Sequence, residues 1–262
     1  AELYAGQAGF DVQRLVAEAA AAGATLVAVP EYFCLMGQRD GDKLLCAEPE
    51  GHGPIQQALS EAARRGAVWL VGGTLPMAIE GRSDRVRNTC QVFAPDGTPA
   101  ARYDKIHLFA FDNGREQYDE GRVLEAGSEP VSFTAGAHRV GLSICYDVRF
   151  PELYRRLADD GSGVPCDLMC VPAAFTYTTG QKHWELLLRA RAVENQCYVL
   201  AAAQGGTHEN GRRTWGQSLI CDPWGEIVAQ QAEGEGVVIA ELDPQRIAAV
   251  RSQLPALAHR RL

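Results

Sequence analysis

The sequence predicts a layered α/β protein built on mixed sheets. Three observations carry this. Helical and strand-like segments alternate, tight turns join several strand pairs, and 46% of the 262 residues are hydrophobic. Alternation calls for helices that cover sheets, and the hairpins require antiparallel pairs within them. The apolar fraction supplies one large core, so residues 1–262 are expected to form a single domain. We find no linker, low-complexity run or internal repeat.

Asp11 to Ala22 is Ala-rich and helical, with Gly23 as its stop. Thr25 to Val29 is β-branched and apolar, cut by Pro30, and reads as a buried strand that delivers Glu31 at its C-terminal end. Ile55 to Arg65 is an amphipathic helix ended by Gly66. Val68 to Val71 is a strand ended by Gly72-Gly73. Thr89–Ala94 and Ala100–Tyr103 flank the turn Pro95-Asp96-Gly97-Thr98 as a hairpin. Val131–Phe133 and Arg139–Ile144 form another strand pair, and Leu168–Val171 is a buried strand before Pro172. Trp184 to Gln196 is a long helix, followed by the strand Tyr198–Ala203. Ser218–Cys221 and Glu226–Ala229 flank Asp222-Pro223-Trp224-Gly225 as a third hairpin, and Val237–Leu242 is a late strand. The first helix starts close to the first residue, with no strand and no initiator Met before it.

The formal net charge of -8 argues against a nucleic-acid partner, which usually meets a basic patch. No apolar run approaches the ~20 residues that span a bilayer, and no signal peptide is visible. No membrane partner is expected. The eight cysteines are scattered singly through apolar segments and read as reduced thiols of a cytoplasmic protein. Cys166 and Cys170 are the closest pair, but no second pair completes a zinc site. Neither a metal nor a cofactor is expected.

Cys145 stands apart from the other seven. It lies where the strand Arg139–Ile144 gives way to a helix beginning near Glu152, with Pro151 suited to the first turn. The partial positive charge of a helix N-terminus lowers the pKa of a nearby thiol, which makes a nucleophile. The alternative is a small core hydrophobe. Lys105, within Ala101–Phe109, sits against an apolar stretch, where an unpaired ammonium is costly and needs a carboxylate or a task. Ligands of open α/β sheets gather beyond the carboxyl ends of strands. Glu31 and Cys145 fit that placement, and Lys105 can reach the same pocket. A plain buried ion pair of Glu31 and Lys105 is the competing reading.

Three segments now stand in order: Val29-Pro30-Glu31-Tyr32-Phe33, Tyr103-Asp104-Lys105-Ile106-His107-Leu108-Phe109, and Cys145-Tyr146-Asp147-Val148-Arg149-Phe150-Pro151-Glu152-Leu153. Together they resemble the nitrilase (carbon–nitrogen hydrolase) superfamily. The resemblance implies a four-layer αββα sandwich, whose usual first β-strand is missing here. It also implies a triad of Glu31, Lys105 and Cys145, and a second glutamate after the lysine. Glu120 is the match, with Glu116 the alternative. Phe175–Glu185, Arg189–Gln196, Ala201–His208 and the Pro223-Trp224-Gly225 turn make the chain most similar to the Nit branch. Inside that branch it resembles the deaminated glutathione amidases more than the ω-amidases. Lys182 departs from the pattern, which usually has a small residue there.

The resemblance implies hydrolysis of a primary amide to a carboxylate and ammonia, through a thioester on Cys145. Glu31 serves as base. Lys105 and the backbone N–H of Tyr146 hold the oxyanion, and Glu120 orients Lys105. Arg149, Thr178 and His183 are candidate substrate-binding residues. Arg149 either takes a substrate carboxylate or pairs with a neighbouring acid. His107 and His183 otherwise read as core or pocket-edge histidines. Ser143 is structural, and Gln204–Gly211 rims the pocket. The competing functions are an ω-amidase acting on α-ketoglutaramate and a non-catalytic binding protein on the same fold. A homodimer or larger homo-oligomer is implied, through 152–157, 184–196 and 254–262.

Overall fold

The computed structural model describes residues 11–159, 161 and 163–261. The expected absence of a strand before the first helix falls on residues 1–10, outside the described ones. Helix α1 (Val12–Ala21) is capped by Asp11, whose side chain accepts the Arg14 N–H. Its buried face is Val12, Leu15, Val16 and Ala19. Strand β1 (Leu26–Ala28) follows, then a single turn α2 (Asp42–Leu45) and helix α3 (Pro54–Gly66), which opens on proline. Gly66 is the last helical residue, and Ala67 takes the left-handed conformation beyond it.

The first sheet is made of β1, β2 (Trp69–Val71), β3 (Leu75–Ala78), β4 (Val86–Phe93) and β5 (Pro99–Asp104). β1 and β2 are parallel. β2 and β3 lie end to end along one edge of β4, and β5 takes the other edge. The step from β2 to β3 turns on Gly73, at φ +56°, where a Cβ would lie 2.1 Å from the Pro30 carbonyl oxygen. Only glycine fits there, and the close approach seats the chain that carries Glu31.

After the small hairpin of β6 (Ala110–Asp112) and β7 (Gln117–Asp119) comes the second sheet. Its strands are β8 (Ser132–Ala135), β9 (His138–Leu142), β10 (Leu168–Cys170), β11 (Tyr198–Ala201), β14 (Ser218–Cys221) and β15 (Ile227–Gln231). They run in the order β15-β14-β11-β10-β9-β8, with β9, β10 and β11 parallel. Helices α4 (Pro151–Ala158) and α5 (Tyr177–Asn195) pack on it. A second small hairpin, β12 (Gly205–Thr207) with β13 (Arg213–Trp215), interrupts the path to β14, and α6 (Pro244–Gln253) closes the described helices.

Burial sets the layers. Val71, Cys90, Val92 and Tyr103 of the first sheet join Leu142, Leu168 and Cys170 of the second in one apolar cluster that also holds Leu153, Trp184 and Leu188. On the far side of the first sheet, Val16 of α1 and Leu59 and Ala63 of α3 cover Leu70, Leu75 and Phe93. The result is the four-layer αββα sandwich. Each fully buried Leu-sized side chain contributes roughly 1.5–3 kcal/mol.

Two expectations need correction. Helix α5 begins at Tyr177 rather than Trp184. Its first turn holds Thr178, Thr179 and Gly180, poor helix formers, but a Cβ on Gly180 would meet Trp215 at 2.4 Å, so close packing outweighs propensity there. Val237–Leu242 is not a strand. It alternates, with Val238, Ala240 and Leu242 against the core, but it has no ladder partner among the described residues. β3, the two small hairpins, α2 and α6 are additions, all short or weakly patterned.

Candidate active site

Three chain segments bring the predicted side chains together. Beyond β1, Val29 still donates to Val71, and after Pro30 the chain places Glu31 1% exposed. Tyr32 then adopts φ +54°, its N–H held by the Thr74 hydroxyl. At the end of β5 the Lys105 N–H bonds the Asn88 carbonyl, which aims an ammonium 1% exposed into the space between the sheets. After β9, Cys145 takes φ +49°, with its N–H on the Pro172 carbonyl. A left-handed non-glycine residue is strained, and such strain persists where the surroundings over-determine it.

Asp147 over-determines this one. Fully buried, it accepts from the Ile144 N–H (2.8 Å), the Tyr103 hydroxyl (2.7 Å) and the His107 N–H (3.0 Å), and it contacts His107 Nδ1 at 2.7 Å. One carboxylate thus ties the 3₁₀ turn Cys145–Arg149 to the segment just after Lys105. His107 stacks on Phe150 at 3.6 Å and is spoken for as a structural side chain.

The ammonium of Lys105 lies 2.9 Å from Glu31 Oε1 and 2.8 Å from Glu120 Oε2. Glu120 also accepts from the Tyr32 hydroxyl and the Phe109 N–H. Glu116 is elsewhere, taking the Thr178 hydroxyl at 2.7 Å, so the second glutamate at Lys105 is Glu120. Glu31 accepts from Lys105, from Asn88 Nδ2 (2.9 Å) and from the Ala174 N–H (2.8 Å). Three donors on two oxygens are the setting of an ionised carboxylate.

Burial would push Lys105 down, but the Glu120 and Glu31 charges together hold it above its ordinary value. Burial would push Glu120 up, and the charge and hydrogen bond of Lys105 hold it below the usual carboxylate range. The Cys145 thiol departs from expectation. Burial, then the Glu31 charge, push it well above its ordinary value, and Lys105 pulls the other way without prevailing. A short 3₁₀ turn carries too little dipole to offset burial. Cys145 and Glu31 line the same small space, so the carboxylate charge acts on the thiol at close range.

Glu31, Lys105, Glu120, Cys145, Tyr146 and Phe175 surround a space of about 10 Å³, room for about one water. A larger space, about 1080 Å³, is elsewhere, between β1 and residues 237–242. Cys145, Lys105, Glu31 and Glu120 line the smaller space and not the larger one, so the amide chemistry belongs there. Arg149, Thr178 and His183 stand outside the ring around Cys145. Arg149 packs over Phe175 and contacts His183 Nδ1 at 3.2 Å. Ser143 bonds Tyr154 and the Cys170 carbonyl, a structural role. Sequence reasoning missed Asn88, Tyr32, Asp147 and Arg212. Tyr32 and Asp147 lie inside the motifs that were read, whereas Asn88 and Arg212 carry no local signal.

Comparisons with known proteins show the family and the fold. The carbon-nitrogen hydrolase family profile matches residues 11–252. The chain is 41% identical over 254 residues to a deaminated glutathione amidase of Synechocystis, covering 95% of this chain and 91% of the relative. It is 39% identical to the omega-amidase NIT2 of Homo sapiens over 248 residues, 94% of this chain and 86% of that one. The C. elegans NitFhit protein superposes with a TM-score of 0.85 at 35% identity, over 95% of this chain and 60% of that longer one. A mutant of the amidase from Nesterenkonia sp. AN1, whose active-site cysteine carries the acetamide moiety of fluoroacetamide, superposes at 0.76 with 26% identity, over 95% of this chain and 86% of that one. With a cysteine, a lysine and two glutamates converging in this fold, the chain belongs to the carbon-nitrogen hydrolase family and is a hydrolase of carbon–nitrogen bonds.

Proposed function

We propose that the protein is a cysteine-dependent amidase working through Glu31, Lys105 and Cys145, with deaminated glutathione as its substrate. The observation that carries this is one ammonium bridging Glu31 and Glu120, in the same small space as the Cys145 thiol. As the Cys145 sulfur attacks the amide carbonyl, its proton passes to Glu31. The carbonyl oxygen takes up negative charge against Lys105 and the Tyr146 N–H, one of the first N–H groups of a helical turn, which lack intrahelical acceptors. Collapse breaks the C–N bond, with Glu31 returning the proton to the leaving nitrogen. A thioester remains. Water, deprotonated by Glu31, attacks it and restores the thiol.

The leaving group follows from the substrate. A primary amide releases ammonia. The amides of deaminated glutathione are secondary, so its cleavage releases an amine. The second reading, an ω-amidase acting on α-ketoglutaramate, is favoured by the near-equal identity to relatives of that name. A kcat/KM comparison of the two substrates separates them. For the mechanism itself, mass spectrometry of the enzyme with a small amide panel is expected to find the acyl group on Cys145, and Cys145→Ala to lose at least about 10⁴-fold in rate. An active Cys145→Ala enzyme would overturn the reading.

We also infer a cytoplasmic homodimer. All eight cysteines are free thiols, which suits a reducing compartment. Leu186 and Val193 on α5 and Trp224 beside them are 67%, 48% and 50% exposed, an apolar surface that supports pairing through α5. Sedimentation at the mass of a single chain would contradict it.

A further inference from the structure

One wall of the reaction space is not used by the triad. It is Arg212, delivered by the hairpin of β12 and β13, and it lines the same space as Cys145 and Lys105. Its Cζ lies 5.1 Å from the centroid of the Tyr118 ring. Of its three guanidinium nitrogens, one has an oxygen acceptor, with Nη2 donating to the Ala174 carbonyl at 3.2 Å. Nη1 reaches the Met36 thioether at 4.0 Å, a weak acceptor, and the buried Nε has no partner. No carboxylate forms an ion pair with Arg212 among the described residues. A guanidinium with buried, unmatched donors is costly, and such groups ordinarily find an acceptor.

A second cation sharpens the point. Lys43 is 7% exposed, with Nζ 4.9 Å above the Tyr32 ring and no ion pair among the described residues. Lys43 and Arg212 repel one another. Glu120 attracts both, and Asp40 and Glu31 attract Lys43, but the oxygens of Glu31 and Glu120 are engaged by Lys105. Two like charges are therefore held around the reaction space without an anion in contact with either.

We propose that Arg212 is the anion subsite of the reaction space. Its N–H groups that lack an oxygen acceptor take a carboxylate of the amide substrate, remote from the bond that breaks, and Lys43 adds positive field from behind Tyr32. This rests on the amidase reading and adds to it the residue that takes the substrate's carboxylate. A guanidinium suits the role because its planar fork matches a carboxylate. The space beside Cys145 holds about one water, so a substrate must displace the side chains at its mouth, and Arg212 is held there by a single oxygen contact.

The test pairs two amides of equal length, glutaramate, which ends in a carboxylate, and neutral pentanamide. In Arg212→Met the ratio of kcat/KM, glutaramate over pentanamide, should fall roughly 10- to 100-fold, mainly through KM, as expected for loss of a hydrogen bond to a charged group. Arg212→Lys, which keeps charge but not the fork, should recover part of it. An unchanged ratio in Arg212→Met would overturn the proposal, since a structural role affects both amides alike. Calorimetry of glutarate with the wild-type and Arg212→Met proteins reads the subsite without turnover. Weaker glutarate binding by the variant supports the subsite even if neither amide is hydrolysed, in which case the amidase reading fails alone. Equal binding, or no binding to the wild type, overturns the subsite.

Discussion

Two groups of charge lie at and near the space beside Cys145 and differ in one respect. Glu31, Lys105 and Glu120 are matched to each other, with the ammonium 2.9 and 2.8 Å from the two carboxylates. Arg212 and Lys43 lie against aromatic rings and pair with no carboxylate among the described residues. A matched cluster is complete before substrate arrives, so its geometry is pre-organised for bond-making. An unmatched one is completed by what binds. The contrast separates the machinery of the reaction from the recognition of its substrate.

The largest expected effect tests the matched side. Lys105→Met should lower kcat about 10²–10³-fold on charged and neutral amides alike, because the ammonium serves the oxyanion. A loss confined to acidic amides would merge the two groups and break the contrast. Next in size is Asp147→Asn, which disturbs the carboxylate that holds the Cys145 turn. We expect a loss of about 2–3 kcal/mol in urea unfolding, the scale of hydrogen bonds to a charged group. Unchanged stability would mean that the strained turn is held by something else.

Acid titration tests the same side. Glu120 is held below its ordinary value in the folded protein, whereas an unfolded glutamate titrates near about 4.3. A depressed carboxylate contributes stability that is complete above the unfolded value and is lost as pH falls through the folded one. Unfolding free energy should therefore decline below about pH 4.3, and Glu120→Gln should flatten that limb. The smallest effect belongs to the unmatched side. Lys43→Met should weaken acidic amides only a few-fold, since it acts through the field rather than by contact. A loss as large as that of Arg212→Met would make Lys43 a direct ligand.

The legible part of the site was the part with local motifs. Glu31 and Cys145 each follow an apolar run and Lys105 sits against an apolar stretch, and the same local logic reached β1, α1 and most strands of both sheets. It did not reach Arg212, which lies in a polar hairpin between Gly and Thr residues and acquires its position only when β12 pairs with β13. Asn88 was equally silent. In the sequence it is a polar residue at the start of β4, yet the fold makes it a donor to Glu31. The thiol was misread for a related reason. A helix start near Cys145 is a local feature, whereas its burial and the Glu31 charge are properties of the assembled sandwich.

By itself, apolar periodicity in the sequence determined a layered α/β protein on mixed sheets, because it decides which faces must leave water, while the αββα order came from the family resemblance. It also determined which lysine, cysteine and glutamate are worth watching. Only the tertiary structure decided that Glu120 rather than Glu116 meets Lys105, that Val237–Leu242 stays without a ladder partner among the described residues, and that Arg212 faces the thiol. The physical reason is reach. Periodicity and turns act over a few residues, while ion pairs and burial depend on groups far apart in the chain.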